Sequence, residues 1–277
     1  MNEELEGHFA FGDNWRDYAR AVTQREVEEA WRGVNALLVD ADLSGHRVLD
    51  LGCGSGVHSV AMAQHGALVT AVDLDPESVA TTRDLALRFG VSDRIETMTA
   101  SVFALPPECG TFDIVYSWGV LHHTGEMWKA VDEAASHVGA NPGSRLILAL
   151  YRKTKLDAFW KSEKRIYKSS PSWLQWVIRR LFALAHDFAR ILNGRNPRRE
   201  DAEYFRQRGM SREHDYHDWL GGYPYESEMP ADVRKFVETR GFQIAHEMLV
   251  LPDDVTGHGI FGSGCDQFVF VRKQLET

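Results

Sequence analysis

Residues 48–56, Val48-Leu49-Asp50-Leu51-Gly52-Cys53-Gly54-Ser55-Gly56, decide how this chain folds. A short apolar run carrying one acid, Asp50, breaks into three glycines spaced two apart, which is the pattern of a buried strand entering a tight turn. A second apolar run, Leu68-Val69-Thr70-Ala71-Val72, closes on Asp73, seventeen residues past Gly56. A strand, a glycine loop, a helix and an acid-capped strand make a nucleoside-binding half-site: the glycines let the backbone approach the ligand, and the acid accepts the two ribose hydroxyls. A dinucleotide site needs Gly-x-Gly-x-x-Gly, so that a pyrophosphate can rest on the helix N-terminus. Here the third glycine comes one residue early and position 57 is Val, which argues against a nicotinamide dehydrogenase.

Outward from this loop the pattern alternates strand and helix. Strands are expected near 47–51, 68–73, 94–99, 112–117 and 144–150, with helices near 57–65, 76–89 and 126–138. Such alternation implies a parallel sheet covered on both faces. Asp75-Pro76-Glu77-Ser78 starts a helix and Gly90 stops one. Upstream, 24–39 has helical periodicity with Val27, Ala30, Trp31, Val34 and Leu38 on one face, preceded by a short aromatic segment with a turn, Phe9 to Trp15. Past strand five the alternation stops. Residues 152–225 show two helical stretches, near 155–168 and 172–193, before a helix at 230–240 and strands at 242–250 and 266–273. Two closing strands with no helix between them form an antiparallel pair.

At 277 residues the chain can hold one large domain or a domain with a lid. Its acidic start, Met-Asn-Glu-Glu-Leu-Glu, has no apolar run, so no signal peptide is expected. Three cysteines at 53, 109 and 265 form neither a disulfide framework nor a metal set, which makes a cytoplasmic setting the expectation. Cys53 reads as a small packing residue inside the loop. Net charge is −9, yet Arg152 to Arg212 holds sixteen Lys and Arg against six Asp and Glu. An acidic chain with no recognisable nucleic-acid module is not expected to bind RNA or DNA.

The run Asp50-x-Gly52-x-Gly54-x-Gly56 resembles motif I of the class I S-adenosylmethionine-dependent methyltransferases. Strand four, Phe112-Asp113-Ile114-Val115, runs through Tyr116-Ser117-Trp118 into Gly119-Val120-Leu121-His122-His123. That stretch resembles motif IV of the ubiquinone- and menaquinone-type branch. The resemblance covers 45–150 well and 230–273 loosely. Phe11 to Trp15 and Asp218 to Glu226 look like segments of a bacterial subgroup of small-molecule methyltransferases. It implies an α/β, Rossmann-like seven-stranded, mostly parallel sheet with an antiparallel last strand and a helical lid inserted after strand five. The expected division is an N-terminal helical cap at 1–45, a core from 46–151 and 226–277, and a lid at 152–225.

The resemblance also implies the cofactor S-adenosylmethionine, the product S-adenosylhomocysteine, and a small-molecule acceptor. Asp50 with Gly52, Cys53, Gly54 and Gly56 would hold the methionine end, and Asp73 with Leu74 the ribose. Trp118, Leu121 and Trp15 would line the cofactor. Where relatives place an acid after strand three, this chain has Ser101, so either the Ser101 hydroxyl or the Val102 backbone would meet the adenine. His122 or His123 would take a proton from a hydroxyl acceptor. In 210–226, read as a glycine-hinged loop, His217, Trp219, Tyr223 and Tyr225 are candidate pocket walls. His214, Asp215 and His217 are not expected to hold a metal. In 172–192 the apolar residues 173, 177, 181, 184, 188 and 192 recur at helical spacing. Three readings fit: a lid packed over the pocket, an interfacial helix touching a membrane that carries a lipid-like acceptor, or a partner-binding face. The basic surplus would steer an anionic acceptor. A cofactor-binding enzyme that transfers no methyl group, and a non-catalytic binding protein, are the alternatives.

Overall fold

The computed structural model describes residues 12–39, 42–208 and 212–273. The acidic start, Phe9 to Phe11 and the side chain of His214 lie outside the described set. Strands β1 (Arg47–Leu51), β2 (Leu68–Asp73), β3 (Ile95–Thr99), β4 (Ile114–Trp118), β5 (Arg145–Tyr151), β6 (Phe242–Met248) and β7 (Cys265–Arg272) form a single sheet. Its order is β3-β2-β1-β4-β5-β7-β6. All neighbours are parallel except β7, which runs antiparallel to both β5 and β6. Strand order reverses between β1 and β4, so the crevice beyond their carboxyl ends is the place for a ligand.

Helices α1 (Gly12–Ala21), α2 (Gln24–Leu38), α3 (Val57–Gln64) and α4 (Pro76–Arg88) precede β3, and α5 (Met127–Ser136) joins β4 to β5. Between β5 and α10 (Pro230–Glu238) lie α6 (Asp157–Ser169), α7 (Ser172–Leu192), α8 (Pro197–Arg208) and α9 (Arg212–Gly221). The starts follow local chemistry. Thr23 makes a capping box with Glu26, and the Asp75 carboxylate accepts the Glu77 N–H ahead of Pro76. Two apolar clusters fill the sheet's faces, one around Val48, Val69 and Ile114 under α2 and α3, the other around Leu49, Val115 and Leu148 under α5 and α10.

Three expectations are corrected. The segment before Thr23, read as an aromatic turn, is helical from Gly12 onward. Among the described residues, 152–225 hold four helices rather than two, and most of the 210–226 segment is α9 rather than a loop. Helix α8, Pro-Arg-Arg-Glu-Asp-Ala-Glu-Tyr-Phe-Arg-Gln-Arg, has almost no apolar period to read. It is held largely by charge: Arg190, nearly buried on α7, ion-pairs with Asp201 at 2.7 Å.

The apolar stripe expected on α7 faces outward. Trp173, Leu184 and Phe188 are 67%, 65% and 63% exposed, and Trp176, Leu181, Ile191 and Leu192 share that exposure. Only the opposite face, through Ile178 and Phe182, reaches the third apolar cluster with Trp160, Tyr167, Leu220 and Tyr225. Among the described residues no helix is long and apolar enough to cross a membrane.

Candidate functional site

The glycine loop is fixed to the end of β2 by its own backbone. The N–H groups of Gly52 and Cys53 donate to the Val72 carbonyl at 2.7 and 3.0 Å, and Gly54 N–H donates to Asp73 Oδ2 at 2.9 Å. Gly52 and Gly54 take φ of +79° and +54°, a left-handed backbone that side chains disfavour. At Gly52 a Cβ would overlap Val120, so the turn after β4 lies directly on the loop. At Gly54 a Cβ would stand 3.2 Å from Trp15 Nε1, so α1 covers the loop from the other side.

Asp73 also accepts the Asp75 N–H at 2.9 Å, and burial raises its pKa to about 6 against these backbone donors. Asp50 lies beneath the loop. Its Oδ2 accepts the Ser59 hydroxyl at 2.5 Å, and burial, with Asp73 adding to it, raises its pKa to about 7. Among the described residues no cationic side chain pairs with either acid. Cys53 is a buried free thiol beside Thr82, pushed well up by burial, as a packing residue would be.

The other expected cofactor residues are placed as follows. Ser101 caps a short turn, its hydroxyl accepting the Phe103 N–H at 3.2 Å, with Val102 half-buried next to it beyond β3. Leu74 is half-buried beside Asp73. Trp118 donates to Gln267 Oε1 at 3.0 Å and packs by His58, on the β7 side of the crevice and away from β3. Leu121, at 1% exposure, packs in the apolar cluster with Val115 and Leu148.

The two histidines differ in tautomer. Tyr151 N–H donates to His122 Nδ1 at 3.3 Å, so the neutral ring carries its proton on Nε2 and its one basic lone pair is occupied by the Tyr151 N–H. Burial, then His123 and Lys164, holds His122 well below the usual histidine range. His123 is opposite. Its Nδ1 lies 2.7 Å from the Pro224 carbonyl, which can only accept, so the lone pair of the neutral ring is on Nε2.

Over the pair stands an aromatic wall. Tyr151 packs 3.9 Å from the His122 ring, 5.1 Å from Trp219 and 5.5 Å from Tyr225, centroid to centroid. Tyr225 is buried, whereas His217 holds the Tyr167 hydroxyl at 2.7 Å and Tyr223 lies towards Lys168, further out. Asn14 on α1 donates to Asp218 on α9 at 2.6 Å, joining the two covers. Sequence reasoning missed Asn14, Asp218, Glu163 and Lys164. Lys164 was legible: it occupies a core position of the 160, 164, 167 helical stripe, between Trp160 and Tyr167, where an apolar residue is the rule.

Residues 48–141 match the family model described as "Methyltransferase domain". Over those residues the chain is similar to a methyltransferase domain. It is 35% identical over 154 residues to a ubiquinone biosynthesis O-methyltransferase from Xanthomonas axonopodis pv. citri (strain 306), covering 54% of this chain and 62% of that protein. It is 33% identical over 106 residues to a 27-O-demethylrifamycin SV methyltransferase from Amycolatopsis mediterranei (strain S699), covering 38% of each. The matches thus span less than two thirds of those curated relatives. Among solved structures, magnesium protoporphyrin IX methyltransferase from Synechocystis PCC 6803 with bound SAH aligns over 94% of both chains at 21% identity and a TM-score of 0.55. The [4+2]-cyclase SpnF aligns over 88% of this chain and 80% of its own at 15% identity and a TM-score of 0.54. These two similarities establish the fold.

The raised pKa of Asp50 sets a test. The folded state holds this proton more tightly than the unfolded chain, so the acid costs no stability below the ordinary aspartate range. Stability is lost as pH rises towards about 7. Asp50→Asn removes the ionisation, so relative to wild type it is expected to gain at least ~1 kcal/mol on going from pH 5 to pH 8. Urea unfolding at both pH values reads the difference; an equal offset at each contradicts a buried, high-pKa Asp50.

Proposed function

We propose that the protein transfers a methyl group from S-adenosylmethionine to a small-molecule acceptor. The observation that carries this reading is the pair of acids, buried Asp50 and half-buried Asp73, against a glycine loop whose N–H groups point into β2. Two carboxylates would repel a pyrophosphate, but they suit a ligand bearing cationic groups and a vicinal diol. Each Asp73 oxygen already accepting one N–H keeps a second lone pair for a ribose hydroxyl. Ser101 and Val102 flank the place of the base beyond β3, and Trp15 covers the loop. Asp50 acts through the loop it supports. Bound there, the cofactor supplies an electrophilic methyl group on a sulfonium; the chain's own work is alignment and exclusion of water.

Residues 152–225 serve as the acceptor cover in this reading, with Tyr151, Trp219 and Tyr225 as walls. His123, with its lone pair on Nε2, is the base for an acceptor that must lose a proton during the reaction. A cytoplasmic setting fits the buried free thiols at 53 and 109.

The cover also supports a surface reading. Helix α6 likewise exposes Phe159 and Ile166, and Lys155, Lys161 and Arg165 are exposed on and beside that helix. Apolar side chains flanked by cations match an anionic lipid surface, from which an apolar acceptor can be drawn.

Two outcomes follow. Asp73→Ala is expected to weaken S-adenosylhomocysteine binding by at least ~1.5 kcal/mol in calorimetry, the value of hydrogen bonds to a charged group; an unchanged affinity removes Asp73 from the ribose site. In sedimentation with vesicles, the protein is expected to bind phosphatidylglycerol in preference to phosphatidylcholine. The triple change Trp173→Ser, Leu184→Ser, Phe188→Ser should lower that binding at least ~10-fold. Equal binding of the variant means the face has another occupant.

A further inference from the structure

Two helices cover the crevice from different sides, and one side-chain hydrogen bond joins them. Helix α1 lies over the glycine loop, where Trp15 stands against Gly54. Its C-terminal end is anchored. Ala19 and Val22 are buried in the apolar cluster with Leu85, and Arg88 on α4 donates to their carbonyls at 2.8 and 2.7 Å. The N-terminal end is held by polar contacts instead. Gly12 N–H donates to Asp75 Oδ2 at 3.1 Å. Arg16 ion-pairs with Glu77 at 2.5 Å, but the two side chains are 41% and 42% exposed, and so exposed a pair contributes little. Asn14 makes the third contact. It is buried, and its Nδ2 donates to Asp218 Oδ1 on α9 at 2.6 Å.

Helix α9 belongs to the acceptor side. Trp219, next to Asp218, packs on Tyr151. Gly222, whose N–H donates to the Asp218 carbonyl, abuts His123, since a Cβ there would lie 2.6 Å from the ring. Asp218 itself is half-buried, and among the described residues Asn14 is the one group that donates to its carboxyl. Burial, with Asp215 adding to it, raises the Asp218 pKa to about 8 against that single donor. Losing the donor leaves the carboxyl poorly satisfied, so the seated position of α1 is favoured by a defined interaction. The contact is also placed to matter. Asn14 is one residue from the side chain on the glycine loop, and Asp218 is one residue from the side chain in the acceptor wall.

We propose that the Asn14–Asp218 hydrogen bond is a latch, which holds the N-terminal half of α1 over bound cofactor and, through the same bond, fixes α9 in the position that walls the acceptor. This rests on the methyl-transfer reading and adds an order of events to it. Cofactor enters first, with α1 pivoting on the end that Arg88 anchors. The acceptor follows, against an α9 that the seated α1 has fixed. S-adenosylhomocysteine leaves only once the latch has opened. Because one bond serves both covers, the coupling is reciprocal: what seats α1 orders α9, and what orders α9 seats α1.

The test uses the whole protein and tritiated S-adenosylhomocysteine, whose exit is timed after a chase of unlabelled ligand. Asn14→Asp sets one carboxylate against another and is expected to speed exit at least ~10-fold. Combining Asn14→Asp with Asp218→Asn again faces an amide with a carboxylate, and should bring the exit rate back to within about threefold of wild type. A damaged α1 would not recover in this way. Hydrogen exchange of the wild type tests the coupling without any variant. Saturating S-adenosylhomocysteine should slow exchange in α9 as well as in α1, by at least ~10-fold in each, although α9 packs on Tyr151 and His123 and not on the glycine loop. An unchanged exit rate in Asn14→Asp, a double variant no slower than the single, or α9 exchange indifferent to the ligand overturns the latch and leaves the cofactor reading standing. Failure of S-adenosylhomocysteine to bind the wild type overturns that reading, and the latch with it.

Discussion

Everything around the crevice is positioned against one strip of backbone, Gly52 to Gly54, held left-handed and hydrogen-bonded to the end of β2. The absence of side chains there lets two other elements come close. Val120 brings the turn after β4 onto Gly52, and Trp15 brings α1 onto Gly54. Because the loop's N–H groups are tied to Val72 and Asp73, the relation between glycines and acid is set before any ligand arrives. Such preorganisation avoids the cost of ordering a loop on binding.

A second constraint is electrostatic. The crevice and its cover enclose Asp50, Asp73, Asp218, Glu163 and Lys164, and burial shifts each towards its neutral form. A fold does not gather such groups for stability, since each loses hydration that its partners only partly replace. Displaced titration of several groups in one cleft is what a site for charged ligands requires. The acids under the loop ask for a cation.

Most of the sheet was legible because its signals are local. Glycine spacing, apolar runs and caps sit within a few residues of one another, and the expected strands fall within two residues of those observed. The cover was legible only in part. Periodicity shows that α7 carries an apolar stripe, but which way a stripe turns depends on what packs against it; here the packed face is Ile178 and Phe182, and the longer stripe faces outward. Helix α8 escaped because charge pairs to α7 hold it, and α1 because its first residues are glycine and polar side chains. The histidine tautomers were beyond reach for the same reason. They are set by Tyr151 and Pro224, 29 and 101 residues away in the chain.

The most direct measurement is a calorimetric titration of the purified protein with S-adenosylhomocysteine and, in parallel, NADH. Micromolar binding of the sulfur nucleoside with no heat from the dinucleotide is the result expected of a glycine loop backed by Asp50 and Asp73. Binding of NADH alone would contradict the account, because a pyrophosphate would then be seated where Asp50 and Asp73 should repel it.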